Sequence, residues 1–162
     1  MRDDVNIRSP RFLLARTIGI CRHCLSPTPL VGLALPPGHM VLELDHEAHD
    51  DAEAIDAWRI ASGSAFIFEV EFIPAAVQSR IQQITRLFRR SSAAAADACW
   101  TNHCERCAGS LDDRDLFCEP DGAFLPTNDA NASLIQLVSV DEAFEAVAAG
   151  YAYEPAYFGA MR

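Results

Sequence analysis

Residues 12–35 read Phe-Leu-Leu-Ala-Arg-Thr-Ile-Gly-Ile-Cys-Arg-His-Cys-Leu-Ser-Pro-Thr-Pro-Leu-Val-Gly-Leu-Ala-Leu, two apolar runs either side of a cysteine pair. Phe12 to Ile20 is apolar and partly β-branched, and it ends directly on Cys21-Arg22-His23-Cys24. Ser26-Pro27-Thr28-Pro29 then turns the chain, and Leu30 to Leu35 reads as a strand. The cysteine pair is therefore expected at a turn between strands. Pro36-Pro37-Gly38 closes the second run, and Met40 to Leu44 follows. Two short apolar runs around a Pro-Gly turn predict a β-hairpin there.

A second C-x2-C pair, Cys104-Glu105-Arg106-Cys107, lies about eighty residues further on. Each pair sets two thiolates around one tight turn whose backbone amides can hydrogen-bond the sulfurs. Two such turns facing each other supply the tetrahedral sulfur set that zinc prefers. In a compact zinc ribbon the pairs stand roughly 15–20 residues apart. Here the site would tie an N-terminal hairpin to a second hairpin around Cys104–Phe124, with a strand–helix segment (65–90) inserted between. Four cysteines leave no open coordination position, so one structural Zn2+ on Cys21, Cys24, Cys104 and Cys107 is the expectation. Each pair, followed by a turn and a strand, resembles the knuckles of zinc-ribbon proteins. The run Trp100-x-Asn102-x-Cys104-x2-Cys107 is similar to runs in uncharacterised bacterial zinc-binding proteins. The resemblance covers about a third of the chain and implies zinc and little else, because zinc ribbons serve many tasks. Leu25 and Ala108 stand where such knuckles usually carry glycine.

The other elements follow from periodicity. Phe66, Phe68, Val70 and Phe72 alternate with Ile67, Glu69 and Glu71, a half-buried strand over 65–73. Pro74 opens a helix predicted over 74–90, with Val77, Ile81, Ile84 and Phe88 at helical spacing and Arg80, Arg86, Arg89 and Arg90 on its other faces. Leu116–Cys118 and Ala123–Leu125 flank Glu119-Pro120-Asp121-Gly122, a further hairpin signal. Leu134 to Val140 is a strand candidate. Ser139-Val140-Asp141-Glu142 fits a capping box ahead of a short C-terminal helix bearing Phe144, Val147, Ala148 and Tyr151. Residues 43–56 form an acidic block without arginine, with a short helix expected over Asp50–Ile60, and the tail from Tyr151 to Phe158 is aromatic. The fold class expected is thus α+β in a single domain over 1–162: antiparallel hairpins around a split zinc site, one long helix and a short C-terminal helix.

Composition limits the partners. The chain has 162 residues, 50% of them hydrophobic and 22% charged, which describes an ordinary globular protein with room for a sizeable core. Its 13 basic residues are all arginines and its acidic residues number 23, a formal net charge of −10. Such a surface repels phosphate backbones and anionic membranes. No run of 18 apolar residues offers a membrane span. Met1-Arg2-Asp3-Asp4 lacks the basic-then-apolar order of a secretory signal, so a cytoplasmic home and reduced thiols are expected.

Catalytic readings are weaker. A thioredoxin-like use of Cys21-Arg22-His23-Cys24 needs a helix after the pair, and Ser26-Pro27-Thr28-Pro29 opposes one. His46-Glu47-Ala48-His49 spaces its histidines three apart rather than the four of HExxH, although a second metal near Asp45, Asp50 and Asp51 is conceivable. His103-Cys104-Glu105 imitates half of a zinc-deaminase signature and lacks the other half. Cys99 and Cys118 read as small buried hydrophobes, with Cys118 the better reserve ligand. The sequence holds no Walker loop, G-x-S-x-G or Gly-rich dinucleotide turn. A non-catalytic, zinc-stabilised module that binds another protein through its acidic block and aromatic tail is the main expectation. The alternative is a nucleic-acid-associated zinc ribbon using Arg80, Arg86, Arg89 and Arg90. An enzyme with a cleft joining His46 or His49 to acids is the third.

Overall fold

The computed structural model describes residues 2–43, 57–91 and 98–162. Its strands are β1 (Ile7–Ser9), β2 (Phe12–Ile20), β3 (Pro27–Leu35), β4 (Met40–Glu43), β5 (Ala57–Ile60), β6 (Ala65–Phe72), β7 (Phe88–Arg90), β8 (Trp100–Asn102), β9 (Gln136–Val140) and β10 (Phe144–Tyr153). The helices are α1 (Ala75–Ile84), α2 (Asp113–Phe117) and α3 (Asp129–Ala132), and a 3-10 turn covers Phe158–Ala160. The described strands pair antiparallel in the order β5-β4-β1-β10-β6-β3-β2-β9, with β8 branching from β6 and β7 pairing β8. No helix is long and apolar enough to cross a membrane among the described residues.

Strand and helix account for 42% and 15%, so the α+β expectation with one long helix gives way to a mostly antiparallel β architecture. Three local corrections explain why. α1 starts after Pro74 as the sequence indicates and buries Val77 and Ile81, one turn apart, against the sheet. It stops at Ile84. Thr85 is extended at φ −150°, its N–H still bonded to the Ile81 carbonyl, and Phe88–Arg90 becomes a strand beside Trp100–Asn102. Phe88 is 4% exposed there, with its ring centre 6.1 Å from that of Trp100.

The predicted C-terminal helix is β10. Phe144, Ala146, Ala148 and Gly150 are buried at every second position, because β10 lies between β1 and β6. Sheet pairing overrides alanine's helical propensity here. Gly150 is required by a close approach: a Cβ there would sit 2.2 Å from the Phe68 ring. The hairpin expected over 116–125 is instead α2 and a turn. Asp112 caps α2 by accepting from the Arg114 N–H, and Asp121 takes a left-handed φ of 61°. Nor do β3 and β4 pair across Pro36–Gly38. β3 pairs β2 and β6 while β4 pairs β1 and β5. His39, fully buried, uses Nδ1 on the Pro36 carbonyl to hold that crossing. The helix expected over Asp50–Ile60 ends instead in β5, and its earlier residues lie outside those described.

Both faces of the sheet are covered. One carries Phe12, Leu14, Leu33, Ile67 and Val70 under Val77 and Ile81 of α1. The other carries Leu30, Ala34 and Phe66 under Leu116, Phe117, Phe124 and Met161. This second face ends on Cys21 and Cys104, so the packing that seats the 110–125 segment also places the cysteines. β3 therefore reads as a nearly continuous apolar run, in the way central strands covered on two sides do.

One buried acid loads this second layer. Asp113, 5% exposed, accepts the Glu69 N–H at 2.7 Å through Oδ2, while its Oδ1 has no partner. Burial pushes its carboxyl up to about 7, against the opposing hydrogen bond. The folded chain therefore holds a proton that the unfolded chain releases near the usual carboxylate value. The stability this confers is full below pH 4 and is lost as the pH rises toward 7. Asp113→Asn should gain stability over the parent at pH 8 by on the order of 2 kcal/mol more than at pH 4, read from urea unfolding at both pH values.

Candidate metal centre

The β2–β3 hairpin carries the first cysteine pair at its tip, as the flanking apolar runs indicate. The Cys21 N–H donates to the Ser26 carbonyl and the Leu25 N–H to the Cys21 carbonyl, both at 2.9 Å, while the His23 N–H points at the Cys21 sulfur at 3.4 Å. The second pair repeats this bond for bond. The Cys104 N–H donates to the Gly109 carbonyl and the Ala108 N–H to the Cys104 carbonyl at 2.9 Å, and the Arg106 N–H lies 3.4 Å from the Cys104 sulfur. Two identical turns have formed from different residues.

The fifth position of each turn is left-handed, with φ 59° at Leu25 and 61° at Ala108. That is where glycine would relieve strain, since a Cβ there costs roughly 1–2 kcal/mol. The turns form without it because both ends are fixed by strands and by the partner knuckle. Ala108 is exposed and its methyl buries nothing. Ala108→Gly should therefore raise Tm by about 2–3 °C, after the greater chain entropy of glycine takes back part of the gain; an unchanged or lower Tm in a thermal melt of the metal-loaded protein would contradict this.

The two turns face each other. The four Sγ atoms all lie within 4.8 Å of one another, with Cys21 to Cys107 at 3.7 Å and Cys24 to Cys104 at 3.6 Å. A regular tetrahedron with metal–sulfur bonds of about 2.3 Å places its sulfurs about 3.8 Å apart. The cluster is thus sized for a single ion bound by four sulfurs. Its electrostatics agree. The main-chain N–H of Cys107 brings the Cys104 thiol down to about 6, against the opposing effect of burial, and the Arg106 N–H adds to it. The Ser26 hydroxyl, followed by its main-chain N–H, lowers the Cys24 thiol. For Cys107 the Gly109 N–H favours the thiolate, but burial and the three neighbouring sulfurs outweigh it and lift the thiol to about 11. All four could be thiolates together only with a cation between them.

The alignment of the two turns comes from groups whose roles the sequence does not announce. Asn102, 1% exposed, gives its Nδ2 to the Val31 carbonyl and takes the Val31 N–H on Oδ1, both at 2.8 Å. It takes up the polar groups of β3 just beyond Leu33, where the ladder with β6 ends, and it stands two residues before Cys104. Its only signal was its place in the Trp100-x-Asn102-x-Cys104 run. Thr28 accepts the Glu105 N–H at 2.9 Å, Arg106 donates to Ser26 Oγ at 2.9 Å, and His23 Nε2 meets the Ser110 carbonyl at 2.9 Å.

Other predicted site residues do not gather. Cys99 and Cys118 stay outside the four-sulfur cluster. Arg80 lies on α1 and pairs with Glu142 at 3.7 Å, Arg86 follows α1, and Arg89 and Arg90 lie on β7, so no single helix presents all four. Arg90 donates to the Ala98 carbonyl. His46, His49 and the acidic block beyond Glu43 fall outside the described residues. The aromatic tail is partly structural: Tyr151 and Tyr153 finish β10, and Phe158 packs 5.6 Å from Phe66. Compared with protein-family models, with curated proteins and with solved structures, the chain matches none.

Proposed function

We propose that this chain is a non-catalytic domain closed by one structural zinc ion, and that it serves as a protein-interaction module. The observation that carries the zinc is the set of four sulfurs held by two matching turns at tetrahedral separations. Zinc fits an all-thiolate set better than the harder divalent cations, and four protein ligands leave no position for water or substrate. That closed set is the support for a structural rather than catalytic ion. The interaction role is supported by the charge of −10, which disfavours nucleic acid, and by the scattering of the four arginines over separate elements. Reduced, metal-bound thiols suit the cytoplasm.

The test is metal content per chain, measured on protein purified without added metal. About one zinc per chain supports the reading. An absence of zinc, together with four freely titrating thiols, overturns it.

A further inference from the structure

β2 is longer than its outer partner. β9 covers it from Phe12 to Arg16, opposite Val140 to Gln136, and stops. Thr17 to Ile20 continue beside β3 alone, and among the described residues no strand lies on their other side. The prolines of β3 show which groups are left open. Ile18 stands opposite Pro29 and Ile20 opposite Pro27, and a proline has no N–H to give. The Cys21 N–H, in phase with Thr17 and Gly19, donates inward to Ser26. In an antiparallel ladder alternate residues bond to opposite sides, so Ile18 and Ile20 aim their N–H and C=O groups outward. Both side chains are also exposed, at 65% and 60%.

This bare edge forms one wall of a groove of about 870 Å³. The opposite wall, the 110–123 segment, contributes Asp112, Asp115, Glu119 and Asp121, with Arg22 paired to Asp115 as the basic counterweight. An unpaired strand edge beside apolar side chains accepts an added strand, and the acids opposite determine its charge. A second copy of this chain would bring a charge of −10 to a wall that is already acidic.

We infer that the groove between the Thr17–Ile20 edge and the 110–123 segment binds an extended, arginine- or lysine-bearing segment of a partner protein, which adds a strand beside Ile18 and Ile20. This deepens the interaction role proposed above and rests on it. The open edge is four residues long, so the added strand spans about 13 Å and continues the sheet where β9 ends. Main-chain bonds to Ile18 and Ile20 supply register, while Glu119 and Asp121 select basic side chains at alternate positions.

The probe is a capped, fluorescein-labelled hexapeptide of alternating arginine and valine, titrated into zinc-loaded protein and followed by anisotropy. It should bind about tenfold or more tightly than the glutamate–valine counterpart, and E119Q with D121N should narrow that ratio. N-methylation at every amide of the arginine peptide should weaken binding by about tenfold or more, because it removes the donors and blocks the edge without changing charge. Amide exchange at Ile18 and Ile20 should slow when the peptide is bound. Equal binding of the methylated peptide, equal binding of the glutamate peptide, or no binding of either would overturn the groove. So would self-association of the free protein through this edge. A zinc-loaded chain that ignores the peptide sinks this inference alone, whereas a chain that carries no zinc sinks the reading beneath it.

Discussion

Cys21→Ser and Cys104→Ser should each yield a chain without bound zinc whose Tm lies more than about 10 °C below that of the parent. A serine oxygen is a poor and reluctant zinc ligand, and three remaining thiolates bind the ion far more weakly. The two positions should behave alike although about eighty residues separate the pairs, because the four sulfurs form one cluster with two from each pair. Chelator added to the parent should reproduce the loss, with the largest changes at the β2–β3 tip and residues 102–111. The core cluster under α1 contains no cysteine, so the strands away from the site should stay protected from hydrogen exchange. Unchanged zinc content in both serine variants would mean that the two turns do not share a metal.

Phe124→Ala should destabilise the protein by about 3–5 kcal/mol, the range for truncating a fully buried phenylalanine. Phe124 is 1% exposed, and its ring centre lies 4.8 Å from that of Phe117 and 5.8 Å from that of Phe66. Both Phe117 and Phe124 crowd Gly32, where a Cβ would lie 3.1 Å from one ring and 3.3 Å from the other. With the backbone of β3 this close, the surroundings cannot collapse into the space left behind. The loss should also spread, since this ring cluster seats the segment between the second knuckle and α3. Equilibrium unfolding with urea gives the magnitude. A cost below about 1 kcal/mol would show that the segment packs independently of the sheet.

Some of this architecture was legible in the residues. The cysteine pairs were, because a C-x2-C turn is fixed by covalent spacing and needs no distant information to be recognised. β6 was, because Phe66, Phe68, Val70 and Phe72 alternate with no competing period. β10 was not. Phe144, Val147, Ala148 and Tyr151 fit a helical stripe as well as Phe144, Ala146, Ala148 and Gly150 fit a strand, and local pattern cannot choose between them. The choice is made by β1 and β6, about 70 to 140 residues upstream, which offer the chain two ladders to join. The end of α1 was missed because Phe88 fits the helical stripe, while its pairing with Trp100–Asn102 is set by tertiary structure that periodicity does not carry. Asn102 shows a third kind of limit. A buried asparagine satisfying both polar groups of Val31 is visible only once the ladder between β3 and β6 is seen to stop at Leu33.

The separation of the two half-sites along the chain has a consequence for synthesis. At roughly 5–20 residues per second, the first cysteine pair leaves the ribosome about 4–16 s before the second. During that interval it is a two-thiolate fragment, too poor a ligand set to retain zinc against the competing thiols of a cell. If the four sulfurs share one ion, its capture would therefore wait until Cys104 and Cys107 have been made, by which point β3, β6 and β8 are available and Asn102 can dock on Val31. On the zinc reading, an ion would then join the two knuckles while β9 and β10 are still to be made, so that the site closes before the strand that bridges β1 and β6 is in place.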